Sequence, residues 1–88
     1  MAYILTVDDD EQIRQIVQAV LSRAGHRVHL AGDVAEALKA LADSGPFDLV
    51  ITDIRMPGMS GLDFVRAIRF AGATVPIIVL TGLVRDES

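Results

Sequence analysis

Cysteine, lysine and long apolar runs are missing or scarce in this chain of 88 residues, and each absence excludes a class of protein. Without cysteine, neither disulfides nor thiolate metal sites can stabilise the fold. Lys39 is the only lysine and the net charge is −4, which argues against direct binding to nucleic acid. No apolar run approaches the roughly 18 residues of a membrane span, and the acidic stretch near the N-terminus is not typical of a signal peptide.

Apolar residues, by contrast, are abundant. Hydrophobic residues make up 51% of the chain and the mean hydropathy is +0.42, which excludes a disordered protein. The length predicts a single domain, because domains usually contain about 100–150 residues. A domain this small buries only about 60–65% of its extended-chain surface. The chain therefore contains more apolar residues than one small core is expected to bury.

Apolar runs that alternate with amphipathic segments predict a parallel α/β sheet. Three short runs are typical of buried strands: Tyr3–Val7, Leu49–Thr52 and Pro76–Leu80. Val28 and Leu30 alternate with Arg27 and His29, which predicts a second strand nearer an edge of the sheet. Between the strands, apolar residues recur at helical spacing in stretches that begin at Ile13, Ala35 and Phe64. The order β-α-β-α-β-α-β indicates a parallel, doubly wound sheet covered on both faces.

Polar and helix-breaking residues mark where the helices should begin and end. Asp10 is predicted to cap the start of the first helix, and Gly25 to follow its last turn. Asp33 and Glu36 have the spacing of a capping box at the start of the second helix. Gly45-Pro46 is predicted to end that helix.

Polar side chains stand where three of the four predicted strands end. Asp8 and Asp9 follow the first strand, Asp53 the third and Thr81 the fourth. Ligands of open parallel sheets bind beyond the carboxyl ends of the strands, so these side chains are expected to meet at one edge. A single Asp after a strand is more often a helix cap or turn residue. The hypothesis of a site therefore depends on all four together.

Carboxylates gathered at one edge repel one another, and a divalent cation is the simplest compensation. Oxygen ligands without His or Cys favour Mg²⁺. A magnesium site beside a free carboxylate and a hydroxyl suits phosphoryl transfer, with the carboxylate as nucleophile. On this interpretation Asp53 attacks the phosphoryl group. Asp8 and Asp9 hold the metal, and Thr81 donates a hydrogen bond to the phosphoryl group.

Three motifs, in this order, give the chain its resemblance to a known family: VDDDEQIR, VITDIRMPGMSGLDFV and PIIVLTG. They resemble the receiver domains of bacterial two-component response regulators, from Tyr3 to Gly82. The resemblance implies a flavodoxin-like fold with strand order 2-1-3-4-5. This chain would supply four strands and three helices and would lack the fourth helix, fifth strand and fifth helix. Residues 1–88 are thus expected to form a C-terminally truncated receiver domain, and we favour a fragment of a longer protein.

The resemblance also implies site residues, a cofactor and partners. Asp53 would accept a phosphoryl group from a sensor histidine kinase or phosphotransfer protein, and Asp8 and Asp9 would bind Mg²⁺. Arg55 would offer its backbone carbonyl to the metal. Thr81 would be the switch hydroxyl that turns toward the phosphoryl group. The module would act in the cytoplasm in a phosphorelay, with no contact to membrane or nucleic acid.

The same resemblance implies roles for residues outside the acidic site. Pro57 and Gly58 would shape the loop after the acceptor, and Gly82 would leave room for the phosphoryl donor. Exposed residues of the first helix would dock the kinase's helical bundle: Arg14, Gln15 and Gln18. The family's phosphate-contacting lysine on a fifth strand has no counterpart here, because Lys39 lies on the second predicted helix.

Two alternatives to a phosphorylated signalling module remain open. A phosphatase that forms an aspartyl phosphate typically has a general acid two residues after the nucleophile, where this chain has Arg55, which cannot release a proton near neutral pH. We therefore predict no enzyme activity. The second alternative is an interaction module with impaired phosphorylation. With no fifth strand, Pro76–Leu80 would be an apolar edge that recruits a second copy, and the first helix would keep a bare apolar face.

Overall fold

The computed structural model describes residues 1–54 and 59–80. These residues form four strands and three helices in the predicted order: β1 (Tyr3–Val7), α1 (Glu11–Arg23), β2 (Arg27–Ala31), α2 (Val34–Asp43), β3 (Leu49–Asp53), α3 (Gly61–Phe70) and β4 (Ile77–Leu80). Among these residues, no helix is both long and apolar enough to serve as a membrane span.

The four strands form one parallel sheet in the order β2-β1-β3-β4. Along the sheet, the step from β1 to β2 goes toward one edge, whereas the steps from β2 to β3 and from β3 to β4 go toward the other edge. Because these crossover connections are right-handed, α1 lies on one face and α2 and α3 lie on the opposite face. The doubly wound parallel sheet predicted from the sequence is confirmed, with β2 at an edge.

The core lies between the sheet and the helices α2 and α3. Leu5 of β1 and Val50 of β3 are fully buried there, together with Phe64 of α3. Small residues at Ala37 and Ala40 are also buried in this cluster and allow α2 to approach the strands closely. Each large apolar side chain buried in this way contributes roughly 1.5–3 kcal/mol to the free energy of folding.

The face on which α1 lies is covered less completely. No residue of α1 is buried, so its apolar stripe is only partly covered, and Ile16 and Val20 are 58% and 61% exposed. On β4, Ile77 packs against the core, whereas Ile78 and Leu80, which alternate with it, are 48% and 38% exposed. We call Ile16, Val20, Ile78 and Leu80 the α1-side apolar surface. Part of the apolar surplus expected from composition lies here.

The ends of α1 follow the sequence prediction. The Asp10 side chain accepts hydrogen bonds from the backbone N–H groups of Gln12 (2.8 Å) and Ile13 (3.3 Å). Gly25 has φ of 93°, a left-handed conformation that glycine adopts at little cost after a helix.

The predicted capping box at the start of α2 forms only in part. The Asp33 side chain accepts from the backbone N–H of Glu36 at 2.8 Å. The Glu36 carboxylate, however, accepts from the N–H of Gly32 at 2.6 Å, one residue before the expected donor. The helix ends at Asp43, shortly before Gly45-Pro46, as predicted.

Candidate functional site

Three carboxylates converge at the carboxyl edge of the sheet. Asp8 and Asp9 directly follow β1, and Asp53 is the last residue of β3. Because β1 and β3 are parallel neighbours, with Val7 paired with Thr52, both strands end at the same level. One carboxylate oxygen from each of the three Asp residues lies within 4.8 Å of the others.

Burial makes the negative charges of this cluster energetically costly. Asp8 and Asp53 are 3% and 2% exposed, whereas Asp9 lies at the surface. Buried carboxylates require hydrogen-bond donors or positive charge nearby, because they lose their hydration. Neighbouring like charges add repulsion. The arrangement therefore favours binding of a cation at the exposed side of the cluster.

Asp8 is fixed by hydrogen bonds to its main chain and its side chain. Its N–H donates to the carbonyl oxygen of Ala31 at 3.1 Å, and its Oδ1 accepts from the backbone N–H of Asp10 at 2.9 Å. Its carbonyl oxygen accepts from Nη1 of Arg14 at 2.6 Å. The turn after β1 and the first turn of α1 together set the position of this carboxylate.

Asp53 is held through the backbone around it. The Thr52 hydroxyl donates to the carbonyl oxygen of Asp53 at 3.1 Å. The N–H of Ile54 donates to the carbonyl oxygen of Leu80 at 3.0 Å, and that of Gly61 donates to the carbonyl oxygen of Ile54 at 2.7 Å. The start of α3 therefore packs directly on the end of β3.

The donor set fits Mg²⁺. Magnesium prefers six oxygen ligands at about 2.0–2.1 Å, so opposite ligands lie about 4.2 Å apart. The 4.8 Å within which the three carboxylate oxygens lie is close to that separation, and neither His nor Cys belongs to the group. Within residues 1–54 and 59–80, no other group of three such side chains is close enough to bind a metal.

Several residues of the sequence hypothesis lie outside the described residues: Arg55, Pro57, Gly58, Thr81 and Gly82. Leu80, the residue before Thr81, is the register partner of Asp53. The fourth strand thus leads to the same edge of the sheet as the carboxylates.

The exposure expected of Arg14 is wrong. This residue is partly buried, and its guanidinium donates to the carbonyl oxygen of Asp8. Gln15 and Gln18 do lie exposed on α1. The sequence pattern also predicts the third helix only from Phe64, whereas α3 begins at Gly61. The signal for a helix start was Ser60, whose hydroxyl accepts from the N–H of Asp63.

Comparison with known proteins gives a family match and curated relatives. The sequence model of the response regulator receiver domain matches residues 4–88. Response regulator MprA of Mycobacterium sp. (strain KMS) is 44% identical over 78 residues, which cover 89% of this chain and 34% of that protein. The chain therefore spans about a third of the length of the curated relatives it matches.

Solved structures share the fold. Response regulator TrrA from Thermotoga maritima, crystallised with Mg²⁺-BeF, superposes with a TM-score of 0.85 at 43% identity, covering 93% of this chain and 70% of that one. TrrA in complex with histidine kinase ThkA gives a TM-score of 0.85 at 41% identity, covering 100% of this chain and 75% of that one. These likenesses confirm the predicted flavodoxin-like parallel fold.

Proposed function

The chain belongs to the family of response regulator receiver domains, and on this premise we propose that Asp53 accepts a phosphoryl group from a histidine kinase. Receiver domains are signalling modules of two-component regulatory systems. The observation that supports Asp53 as the acceptor is its place at the end of a central strand, with its carboxylate within 4.8 Å of those of Asp8 and Asp9.

The proposed transfer is a nucleophilic substitution at phosphorus. A carboxylate oxygen of Asp53 forms the new P–O bond as the P–N bond to the kinase's phosphohistidine breaks. The imidazole nitrogen leaves with the bonding electron pair and takes up a proton. Because a carboxylate nucleophile has no proton to lose, this chain needs no general base for the step.

Asp8 and Asp9 are proposed to hold Mg²⁺ together with Asp53 and the backbone carbonyl of Arg55. When bound, the ion neutralises charge on the carboxylates and on the phosphoryl oxygens. Asp8 is buried and oriented by the N–H of Asp10, whereas Asp9 lies exposed. The hydroxyl of Thr81 is proposed to donate to the transferred group. TrrA in complex with Mg²⁺-BeF supports this assignment by similarity.

A cytoplasmic histidine kinase domain is the proposed partner. The complex of TrrA with histidine kinase ThkA supports this by similarity. On this chain, Gln15 and Gln18 of α1 are exposed and would contact the kinase. The chain would act as a signalling module and not as an enzyme.

Labelling with a small phosphodonor tests the acceptor assignment. The chain is incubated with acetyl phosphate, with and without Mg²⁺, and the bound phosphate is measured on the intact protein. We expect Mg²⁺-dependent labelling of the wild type and none of Asp53→Asn. The control is Asp43→Asn, an exposed position on α2, which should label normally. Undiminished labelling of Asp53→Asn would refute the assignment.

Self-association is a second proposed property, supported by the α1-side apolar surface. Within the described residues, β4 has a neighbouring strand on one side only, and an unpaired apolar edge can pair with a second copy. Ile78 and Leu80 of this strand are 48% and 38% exposed, so pairing through β4 would also cover apolar area.

Sedimentation equilibrium over a range of concentrations tests this second proposal. We expect the wild type to dimerise and Ile78→Lys to be monomeric. The matched control is Leu62→Lys, because Leu62 is 51% exposed on α3, on the opposite side of the sheet. A wild type that stays monomeric at all concentrations, or equal loss of dimer in both variants, would exclude pairing through β4.

A further inference from the structure

We propose that Arg14 is a positioning residue for the acidic site, which holds the main chain of Asp8 so that its carboxylate can bind Mg²⁺. The inference rests on the proposed function. Nη1 of Arg14 donates a 2.6 Å hydrogen bond to the carbonyl oxygen of Asp8. A bond from a charged donor is about twice as strong as one between neutral groups, so this contact restrains the strand end more than an ordinary backbone bond.

The contact lies where the regular sheet ends. The N–H of Asp8 still bonds to the carbonyl of Ala31, but Ala31 is the last residue of β2. Beyond it the chain turns into α2. The guanidinium of Arg14 therefore joins the end of β1 to α1 at the point where β2 no longer runs beside it.

Gly32 provides the space for this guanidinium. A Cβ atom at position 32 would lie 3.1 Å from Nη1 of Arg14 and 3.3 Å from Oε1 of Glu36. The same Oε1 accepts from the N–H of Gly32 at 2.6 Å. The Arg14 guanidinium and the Glu36 carboxylate thus both lie where a side chain at position 32 would be. A residue larger than glycine at position 32 would therefore crowd the guanidinium that holds Asp8.

The sign of the effect on metal binding distinguishes positioning from simple charge. Arg14 carries a positive charge close to the carboxylates, and by Coulomb repulsion alone its removal would strengthen Mg²⁺ binding. If Arg14 positions Asp8, its removal weakens binding instead. Loss of groups that orient metal ligands typically costs about 10–100-fold in affinity.

Calorimetric titration of the whole chain with Mg²⁺ shows whether removal of Arg14 weakens or strengthens metal binding. Arg14→Met should raise the Mg²⁺ dissociation constant about tenfold, and Arg14→Lys, which keeps a charged donor, should recover part of the loss. The control is Arg23→Met, the same change at an exposed position in the last turn of α1, which should leave the constant unchanged. Equal or tighter binding by Arg14→Met, or the same loss in Arg23→Met, would overturn the proposal.

Amide hydrogen exchange without metal provides a second, independent readout. The N–H of Asp10 bonds to Oδ1 of Asp8, so it should exchange faster in Arg14→Met than in the wild type, and at the wild-type rate in Arg23→Met. Unchanged exchange in Arg14→Met would overturn the proposal even if the wild type bound no Mg²⁺. Absence of Mg²⁺ binding by the wild type would refute the proposed magnesium site itself, whereas accelerated exchange would still support the positioning role.

Discussion

Gly61, the first residue of α3, lies against the main chain of Asp53 with no room for a side chain between them. A Cβ atom at position 61 would lie 2.8 Å from Cα of Ile54 and 3.0 Å from the carbonyl carbon of Asp53. These neighbours are backbone atoms, which cannot rotate away as the end of a side chain can. The close packing of α3 on β3 therefore depends on glycine here.

Replacing this glycine should impair both stability and phosphorylation. Alanine in place of glycine ordinarily stabilises a helix by roughly 0.5–1 kcal/mol. In Gly61→Ala the clash should instead lower the free energy of unfolding by about 1–3 kcal/mol. Movement of the Asp53 backbone should also slow labelling by acetyl phosphate. Urea unfolding and the labelling rate measure the two effects.

Gly72→Ala is the control for this prediction. Gly72 has φ of 91° and nothing within 4 Å of an added Cβ, so alanine is strained there by backbone conformation alone, at a cost of about 1–2 kcal/mol. It should lose stability and keep the wild-type labelling rate. If labelling slowed equally in both variants, the loss would reflect stability and not the position of Asp53.

Two phenylalanines on α3 should differ sharply in their contribution to stability. Phe64 is fully buried in the core, whereas Phe70 is 96% exposed. Phe64→Ala should lower the free energy of unfolding by about 3–5 kcal/mol, which could unfold a chain of this size. Phe70→Ala should change it by less than about 0.5 kcal/mol. Similar losses in urea unfolding for both variants would contradict the location of the core.

The cap of α1 should be worth a measurable part of the stability. Asp10→Ala removes the acceptor of the N–H groups of Gln12 and Ile13 and should cost about 0.5–2 kcal/mol. Asp10→Ser keeps a capping oxygen and should retain most of that energy. Urea unfolding of both variants checks this, and an Asp10→Ala chain as stable as Asp10→Ser would show that the cap contributes nothing.

Asp9→Asn should weaken Mg²⁺ binding without lowering the stability of the metal-free chain. Asp9 is exposed beside two buried carboxylates, so removing its charge relieves repulsion, and the metal-free chain should be at least as stable as the wild type. The Mg²⁺ dissociation constant should rise by roughly tenfold or more. Calorimetric titration and urea unfolding without metal measure these effects. Unchanged Mg²⁺ affinity would exclude Asp9 as a ligand.

Features set by local pattern could be predicted from the sequence. The buried strands follow from apolar runs such as Tyr3–Val7, and the start of α1 from Asp10. The meeting of Asp8 and Asp53 also follows from pattern, because parallel strands end at one edge of a sheet. To predict these features, it is enough to know how apolar residues recur along the chain and that the strands run parallel.

Features that depend on contacts between distant elements could not be predicted in this way. Arg14 is charged, and charged residues on a helix usually face solvent. Only the folded chain brings its guanidinium to the carbonyl oxygen of Asp8. Gly61 follows residues that favour a loop and is itself a poor helix former, but it packs on the main chain of Asp53 as the first residue of α3. For the same reason, the backbone N–H that donates to the Glu36 carboxylate was expected at Asp33 but belongs to Gly32, one residue earlier.

The central claim is that Asp53 receives the phosphoryl group, and chemical trapping tests it most directly. The chain is phosphorylated with acetyl phosphate and Mg²⁺ and reduced with borohydride, which converts an aspartyl phosphate to homoserine, and the peptides are sequenced by mass spectrometry. We predict homoserine at position 53 and unmodified Asp at positions 8 and 9. Homoserine at position 8 or 9, or none at position 53 in a labelled protein, would contradict the account.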